Sequence, residues 1–201
     1  MIFSGELAPG TRIYPDEAAK QLGMSSIPMR EALRGLAARG LVDASARRGF
    51  RVRDADAADF AETYQLRLML DPYAVRLAVP NLNKGALDHV RTSLTELEKT
   101  ITSGDVASYY RDHRDFHFSI YEHCGSRWLL EIMSMLWENS HRYQRLSAGP
   151  RGTAEERVAE HRAIADACIE GNVELAGELM YEHLERTRTV VAKLLDGKLS
   201  G

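Results

Sequence analysis

The sequence predicts a mainly α-helical protein. A winged helix-turn-helix is expected over residues 1–54, followed by an all-α antiparallel bundle of about six helices over residues 55–201. Three observations predict it. Two short helical patterns meet at a tight turn near the start of the chain, and a hairpin pattern follows them. After residue 54, apolar residues recur at helical spacing and no strand pattern is convincing.

The first helix is expected in "PDEAAKQLG" (15–23), with Pro15 near its start, Ala18, Ala19 and Leu22 inward, and Gly23 closing it. In "MSSIPMREALRGLAARG" (24–40), Met29, Leu33, Leu36 and Ala37 repeat at helical spacing, and Gly40 stands at the C-terminal stop. Next, "LVDASARRGFRVRD" (41–54) has two β-prone ends around a polar, Gly-containing middle, which is a hairpin pattern. Beyond it, residues 56–79 form a long amphipathic stretch that Pro72 should kink or break. Further helices are expected at about 84–103, 105–123, 126–146, 154–170 and 172–196, separated by "PNLNKG", "SGD", "CGS", "SAGPRG" and "EGN".

Composition bounds the function. With 201 residues, 44% hydrophobic and 27% charged, the chain can bury a sizeable core. No apolar run approaches the roughly 18–20 residues of a membrane span, and the first ten residues lack the pattern of a secretory signal. Cys124 and Cys168 form no C-x-x-C and read as buried reduced thiols. A cytoplasmic protein with no membrane partner is expected. The net charge of −3 is unevenly spread: residues 1–53 carry nine Lys/Arg against five Asp/Glu, and residues 54–201 carry 17 against 24. A small basic front and a larger acidic back point to two domains with different partners.

The front segment resembles the GntR family of bacterial transcription regulators, in "SGELAPGTRI", "AAKQLGMSSIPMREALRGLAARGLV" and "RRGFRV". The back resembles the all-α effector domain (FCD) of the FadR/VanR-type branch. There the matching stretches are "LRLMLDPYAVRLA", "FHFSIYEHCGSRWLLEIMSMLW" and "EHRAIADACIEGNVELAGELMYEHL". The resemblance covers nearly the whole chain and implies a DNA-binding homodimer that senses a small molecule. The helix that the family places before "SGELAPG" is nearly absent, so the chain is expected to start late. Ser26 and Ile27 stand where the family usually has arginine and threonine. Arginine is the commonest bidentate reader of guanine, so a different operator is expected. Ser26 is expected to cap the second helix in place of the poor capper Ile27, leaving Pro28 in the first turn.

For operator DNA, Arg30 sits in the first turn of the second helix, the end that enters the major groove, and Arg34 lies one turn on. Arg47, Arg48, Arg51 and Arg53 cluster in the wing, placed for phosphates or the minor groove. Ser25, Ser26 and Lys20 are candidate phosphate contacts. The plain alternative for each arginine is a solvated surface charge.

His113 and His117, four residues apart, share a helix face with Cβ atoms roughly 5–6 Å apart, so both can bind one ion. His161 and His183 stand on two later helices whose apolar neighbours face the interior. In the resembled family, metal ligands come from a D-x-x-x-H stretch and from one histidine on each later helix. Here His113 occupies the aspartate position, while Asp112 and Asp115 point off the shared face. Four imidazoles favour a divalent transition metal, zinc or nickel first, then copper, over magnesium or calcium. Replacing a carboxylate ligand by imidazole leaves the ion's charge uncompensated, which a small carboxylate effector would supply. Arg67 is a candidate second anchor for that carboxylate. Its alternative is a salt bridge to Asp71 four residues on, worth about a few tenths of a kcal/mol. His89, His123 and His141 have no such constellation.

The expected function is a metabolite-responsive transcription regulator. The rival is a metal-dependent enzyme on a helical bundle, which would use the same histidines. Against it, the sequence does not hold the two E-x-x-H motifs that the di-iron type needs, nor H-E-x-x-H.

Overall fold

The computed structural model describes residues 7–45, 49–54, 56–147 and 152–199. A two-residue strand β1 (Arg12–Ile13) leads into α1 (Pro15–Gln21) and α2 (Ser26–Ala38), and β2 (Val42–Ser45) and β3 (Gly49–Val52) form the wing. The sheet order is β1-β3-β2, both pairings antiparallel, with Ile13 and Ala44 flanking Phe50 in register. β1 is an addition to the hairpin that the sequence predicts. Two residues are too short to show the alternation by which strands are read.

Each helix of this head stops where its glycine stands. After α1, the Gly23 N–H reaches the Lys20 carbonyl and the Met24 N–H reaches the Ala19 carbonyl, at 3.3 and 2.9 Å. After α2, Gly40 and Leu41 bond Ala37 and Leu36 in the same way, both at 3.0 Å. This double closure needs a left-handed residue, and Gly23 and Gly40 have φ of +65° and +74°. At the other end of α2, the expected cap is corrected. Ser25, in extended conformation, is the N-cap residue, and Ser26 is already helical. Pro28 is then the third helical residue, where a missing N–H costs nothing because first-turn N–H groups have no partner in the helix. Ile13, Ala19, Met29, Leu33, Leu41, Val42 and Val52 make the apolar core of the head.

The bundle begins with α3 (Ala57–Ala78), capped by Asp56, whose carboxylate accepts from the Ala58 and Asp59 N–H groups. Pro72 lies inside α3 without breaking it. The lost hydrogen bond is offset by packing, since α3 lies against α5, α6 and α8 and Pro72 is buried. A 3-10 turn (Val79–Asn81) leads to α4 (Lys84–Ser103), then α5 (Val106–Tyr121), α6 (Arg127–Ser147), α7 (Ala154–Ile169) and α8 (Val173–Leu199). Thr153 and Glu156 form a reciprocal capping box at the start of α7. Phe60, Tyr64, Leu97, Phe116, Ile120, Trp137, Ile164, Met180 and Val191 are fully or almost fully buried in one core spanning these helices. Burial of each such side chain contributes about 1.5–3 kcal/mol.

The head docks on α6. Asn139 donates from Nδ2 to the Arg39 carbonyl at 2.9 Å, and Arg39 pairs with Glu138 at 3.4 Å. Arg53 pairs with Asp43 at 3.3 Å and approaches Asp59 of α3 at 3.7 Å. No helix of the described residues is long and apolar enough to cross a membrane.

Candidate metal centre and DNA-binding face

The helix periods bring four histidines to one point. His113 and His117 lie one turn apart on α5, His161 comes from the middle of α7, and His183 from α8. All four are buried, and one nitrogen of each lies within 4.8 Å of the other three. The Nε2 atoms of His113 and His117 are 3.1 Å apart. Two nitrogen lone pairs sit that close only with a shared proton or a shared cation between them. The spacing suits a cation: metal–imidazole bonds of about 2.0–2.1 Å put neighbouring ligand nitrogens roughly 3 Å apart. The donor set therefore fits a divalent transition ion.

Outward hydrogen bonds set the rings. His161 Nδ1 lies 2.7 Å from the Arg157 carbonyl oxygen, which can only accept, so that nitrogen carries the proton and the Nε2 lone pair is the ligand. His183 Nδ1 lies 3.0 Å from Glu160 Oε2, and the other Glu160 oxygen accepts from Arg186 at 2.9 Å. His117 Nδ1 lies 3.3 Å from the Tyr121 hydroxyl, which donates to Asp71 Oδ2 at 3.1 Å. His113 stacks on Tyr109 with ring centroids 5.1 Å apart, and Trp137 packs beside both His113 and His117. An open groove of about 300 Å³ between α7 and α8, lined by Glu156, Glu160, Glu182, His183 and Arg186, reaches this corner of the site.

Arg67 lies under the site, not on the surface. It donates from Nε and Nη2 to Asp71 Oδ2, at 3.2 and 2.7 Å, and from Nη1 to Ser140 at 2.9 Å. Its guanidinium also lies 4.6 Å from the Trp137 ring centroid. The pair with Asp71 foreseen as the alternative is thus present, but with both side chains only 2% exposed. Burial opposes the Arg67 charge, and Asp71, Tyr64 and Tyr121 outweigh it, so the guanidinium titrates above its ordinary range. Burial lifts the Asp71 carboxyl above its usual range against the pull of Arg67.

The remaining candidates fall elsewhere. Asp115 is exposed, and Asp112 pairs with Arg111 at 2.8 Å. His89 is exposed and His123 half-buried, away from the cluster, and the His141 side chain lies outside the described residues. Cys124 and Cys168 are buried free thiols, and burial pushes the Cys168 thiol up to about 12. Tyr121, Trp137 and Glu160 are missed by sequence reasoning. The only signals were the four-residue step from His117 to Tyr121 and the place of Glu160 just before His161.

On the head, Ser25 at the N-cap, Arg30 in the first half of α2 and Arg34 one turn further on are exposed, with Ser26 half-buried and Lys20 exposed on α1. Arg30 pairs with Asp16 of α1 at 3.2 Å and Arg34 with Glu31 at 2.7 Å, both with at least half of the side chain exposed. The Asp16 carboxyl is held below its usual range by a hydrogen bond from Ser26 and by the Arg30 charge. Ile27 is 76% exposed on the same end of the helix. Arg51 donates to the Gly10 carbonyl at 2.9 Å and pairs with Asp54 at 3.1 Å. Arg47 and Arg48 lie outside the described residues.

Comparison with known proteins finds matches for both parts of the chain. Residues 1–52 match the family described as bacterial regulatory proteins, gntR family, and residues 62–186 match the FCD domain. The HTH-type transcriptional regulator YdhC of Bacillus subtilis, itself uncharacterized, is 31% identical over 91% of this chain and 82% of its own. A probable D-xylose utilization operon transcriptional repressor of Paenarthrobacter nicotinovorans is 32% identical over 91% of this chain and 80% of its own. Among solved structures, Escherichia coli McbR/YncC superposes with a TM-score of 0.86 at 25% identity, covering 96% of this chain and 92% of the other.

Proposed function

Because the chain belongs to the GntR family of bacterial transcription regulators, with a helix-turn-helix head and an FCD domain, we propose that it is a metabolite-responsive regulator with a metal-containing effector pocket. The observation that carries this reading is the buried cluster of four histidines, two of them with Nδ1 tied to a carbonyl or carboxylate oxygen. Residues 1–54 are the DNA-binding domain and residues 55–201 the effector and dimerisation domain. His113, His117, His161 and His183 hold a divalent transition ion, zinc or nickel, through nitrogens that converge between α5, α7 and α8. The ion supplies a cationic centre that accepts an anionic oxygen. Its ligands are neutral and the Arg67–Asp71 pair beside it cancels internally, so a small carboxylate provides the balancing charge. Arg67 gives three of its five N–H donors to Asp71 and Ser140, and with the others it serves as the second anchor for that carboxylate.

The protein acts as a homodimer, placing two α2 helices in successive major grooves of a pseudo-palindromic operator. Exposed apolar side chains concentrate on two helices that pack side by side: Leu66, Met69 and Tyr73 of α3, and Trp128, Ile132 and Met135 of α6. A second copy of the chain would cover them. Acting on operator DNA, the protein works in the cytoplasm. Effector binding changes DNA affinity by favouring one placement of the heads.

Two measurements test this. Arg30→Ala should weaken specific operator binding by about 1–3 kcal/mol if Arg30 exchanges Asp16 for a base edge. A gel-shift series in which the variant binds normally removes Arg30 from the recognition set. In a thermal-shift screen of hydroxy acids, sugar acids and dicarboxylates, hits should raise stability by about 2.7 kcal/mol at a hundredfold excess over Kd. The hits should vanish on chelation. Neutral or cationic control compounds that bind better than the acids, or hits that survive chelation, place the sensing site elsewhere.

A further inference from the structure

The hydrogen bonds around the cluster run further than the four rings. From Ser140 on α6 they pass to Arg67 and Asp71 on α3, then to the Tyr121 hydroxyl and His117 Nδ1 on α5. Every side chain in this line is buried. A hydroxyl has one proton to give, and the Asp71 carboxyl oxygen, which also accepts two hydrogen bonds from Arg67, is a far better acceptor than the Met180 sulfur 3.3 Å away. With its proton on Asp71, the Tyr121 oxygen can only accept from His117. That places the His117 proton on Nδ1 and the lone pair on Nε2, facing His113. Glu160 does the same for His183, itself braced by Arg186 on the far oxygen.

We infer that Tyr121, oriented by Asp71, and Glu160 are positioning residues that preset His117 and His183 as Nε2 ligands. Two ligands from different helices are thereby locked in tautomer and ring orientation by groups that never touch the ion. The site is organised before the metal arrives, so binding does not have to select among tautomers and ring flips. The inference rests on the metal reading above and adds to it which residues outside the ligand set govern affinity.

The test uses the full-length protein, stripped with a chelator and titrated with zinc against a competing indicator. Wild-type protein binding about one zinc per chain, with His117→Ala binding none, checks the metal reading by itself. Tyr121→Phe keeps the ring and removes only the hydroxyl, and Glu160→Gln keeps the shape and removes the charge. Each should weaken zinc affinity by about 10–100-fold while the stripped variants melt close to stripped wild type. Nitrogen NMR of the imidazoles in stripped wild-type protein should show His117 and His183 protonated on Nδ1. In Tyr121→Phe, His117 should become a mixture of tautomers. Unchanged zinc affinity in both variants, or a stripped wild-type protein with His117 protonated on Nε2, overturns the inference even where zinc binding itself is confirmed. Should Tyr121→Phe fail to fold, the wild-type tautomers and Glu160→Gln decide.

Discussion

Arg67→Ala is expected to destabilise the protein by about 3–5 kcal/mol, the usual cost of removing one partner of a buried ion pair. The pair is almost wholly shielded from water, and Arg67 gives Asp71 two hydrogen bonds and Ser140 a third. Truncation leaves the Asp71 carboxylate in a low-dielectric interior with, among the described residues, the Tyr121 hydroxyl as its remaining donor, and it opens a void beside Trp137. At about 2–4 °C per kcal/mol for a chain of this size, the melting temperature should fall by roughly 6–20 °C. Arg67→Leu combined with Asp71→Leu should recover much of that loss, because the paired charges themselves give little net stability over apolar packing. A single variant that loses less than about 1 kcal/mol in urea unfolding would mean that water reaches the pair.

Losing the metal is the second large expected effect. Protein purified without added metal should carry close to one divalent transition ion per chain, and His117→Ala should carry none. His117 is fully buried, in contact with His113 and within reach of both later histidines. An ion present at a thousandfold excess over its Kd stabilises the folded state by about 4 kcal/mol. Chelation should therefore lower the melting temperature of the wild type and leave His117→Ala unmoved. His113→Ala separates two versions of the site. Full retention of metal would assign the ion to His117, His161 and His183, with His113 as a neighbour only. Elemental analysis that finds no metal in wild type, even after loading with zinc or nickel, would remove the centre altogether.

The sequence by itself determined the secondary structure closely, because its signals are local. Gly23 and Gly40 end α1 and α2 where they stand, since the closing turn requires a left-handed residue within a step of the helix. The turns at "SGD", "CGS" and "EGN" likewise separate the helices read on either side of them. That His113 and His117 share a face, and that His161 and His183 lie toward the interior, was also legible, from a four-residue step on one helix and the apolar neighbours on two others. That all four form one site was implied by the family resemblance. Other features were beyond reach. Ser25 takes the cap instead of Ser26 because the choice depends on the backbone entering α2 and on Asp16 of the preceding helix. Pro72 leaves α3 unbroken because three other helices pack against it. Arg67 and Asp71 have in sequence the spacing of a routine surface pair. Only folding reveals that Ser140, 73 residues from Arg67, and Tyr121, 50 residues from Asp71, close over them. The same holds for Asn139 and Arg39, which join bundle to head across 100 residues. Helix ends are decided by neighbours along the chain. Burial, and with it the strength of an ion pair, the tautomer of a ligand and the docking of one domain on another, is decided by which distant residues the fold lays on top.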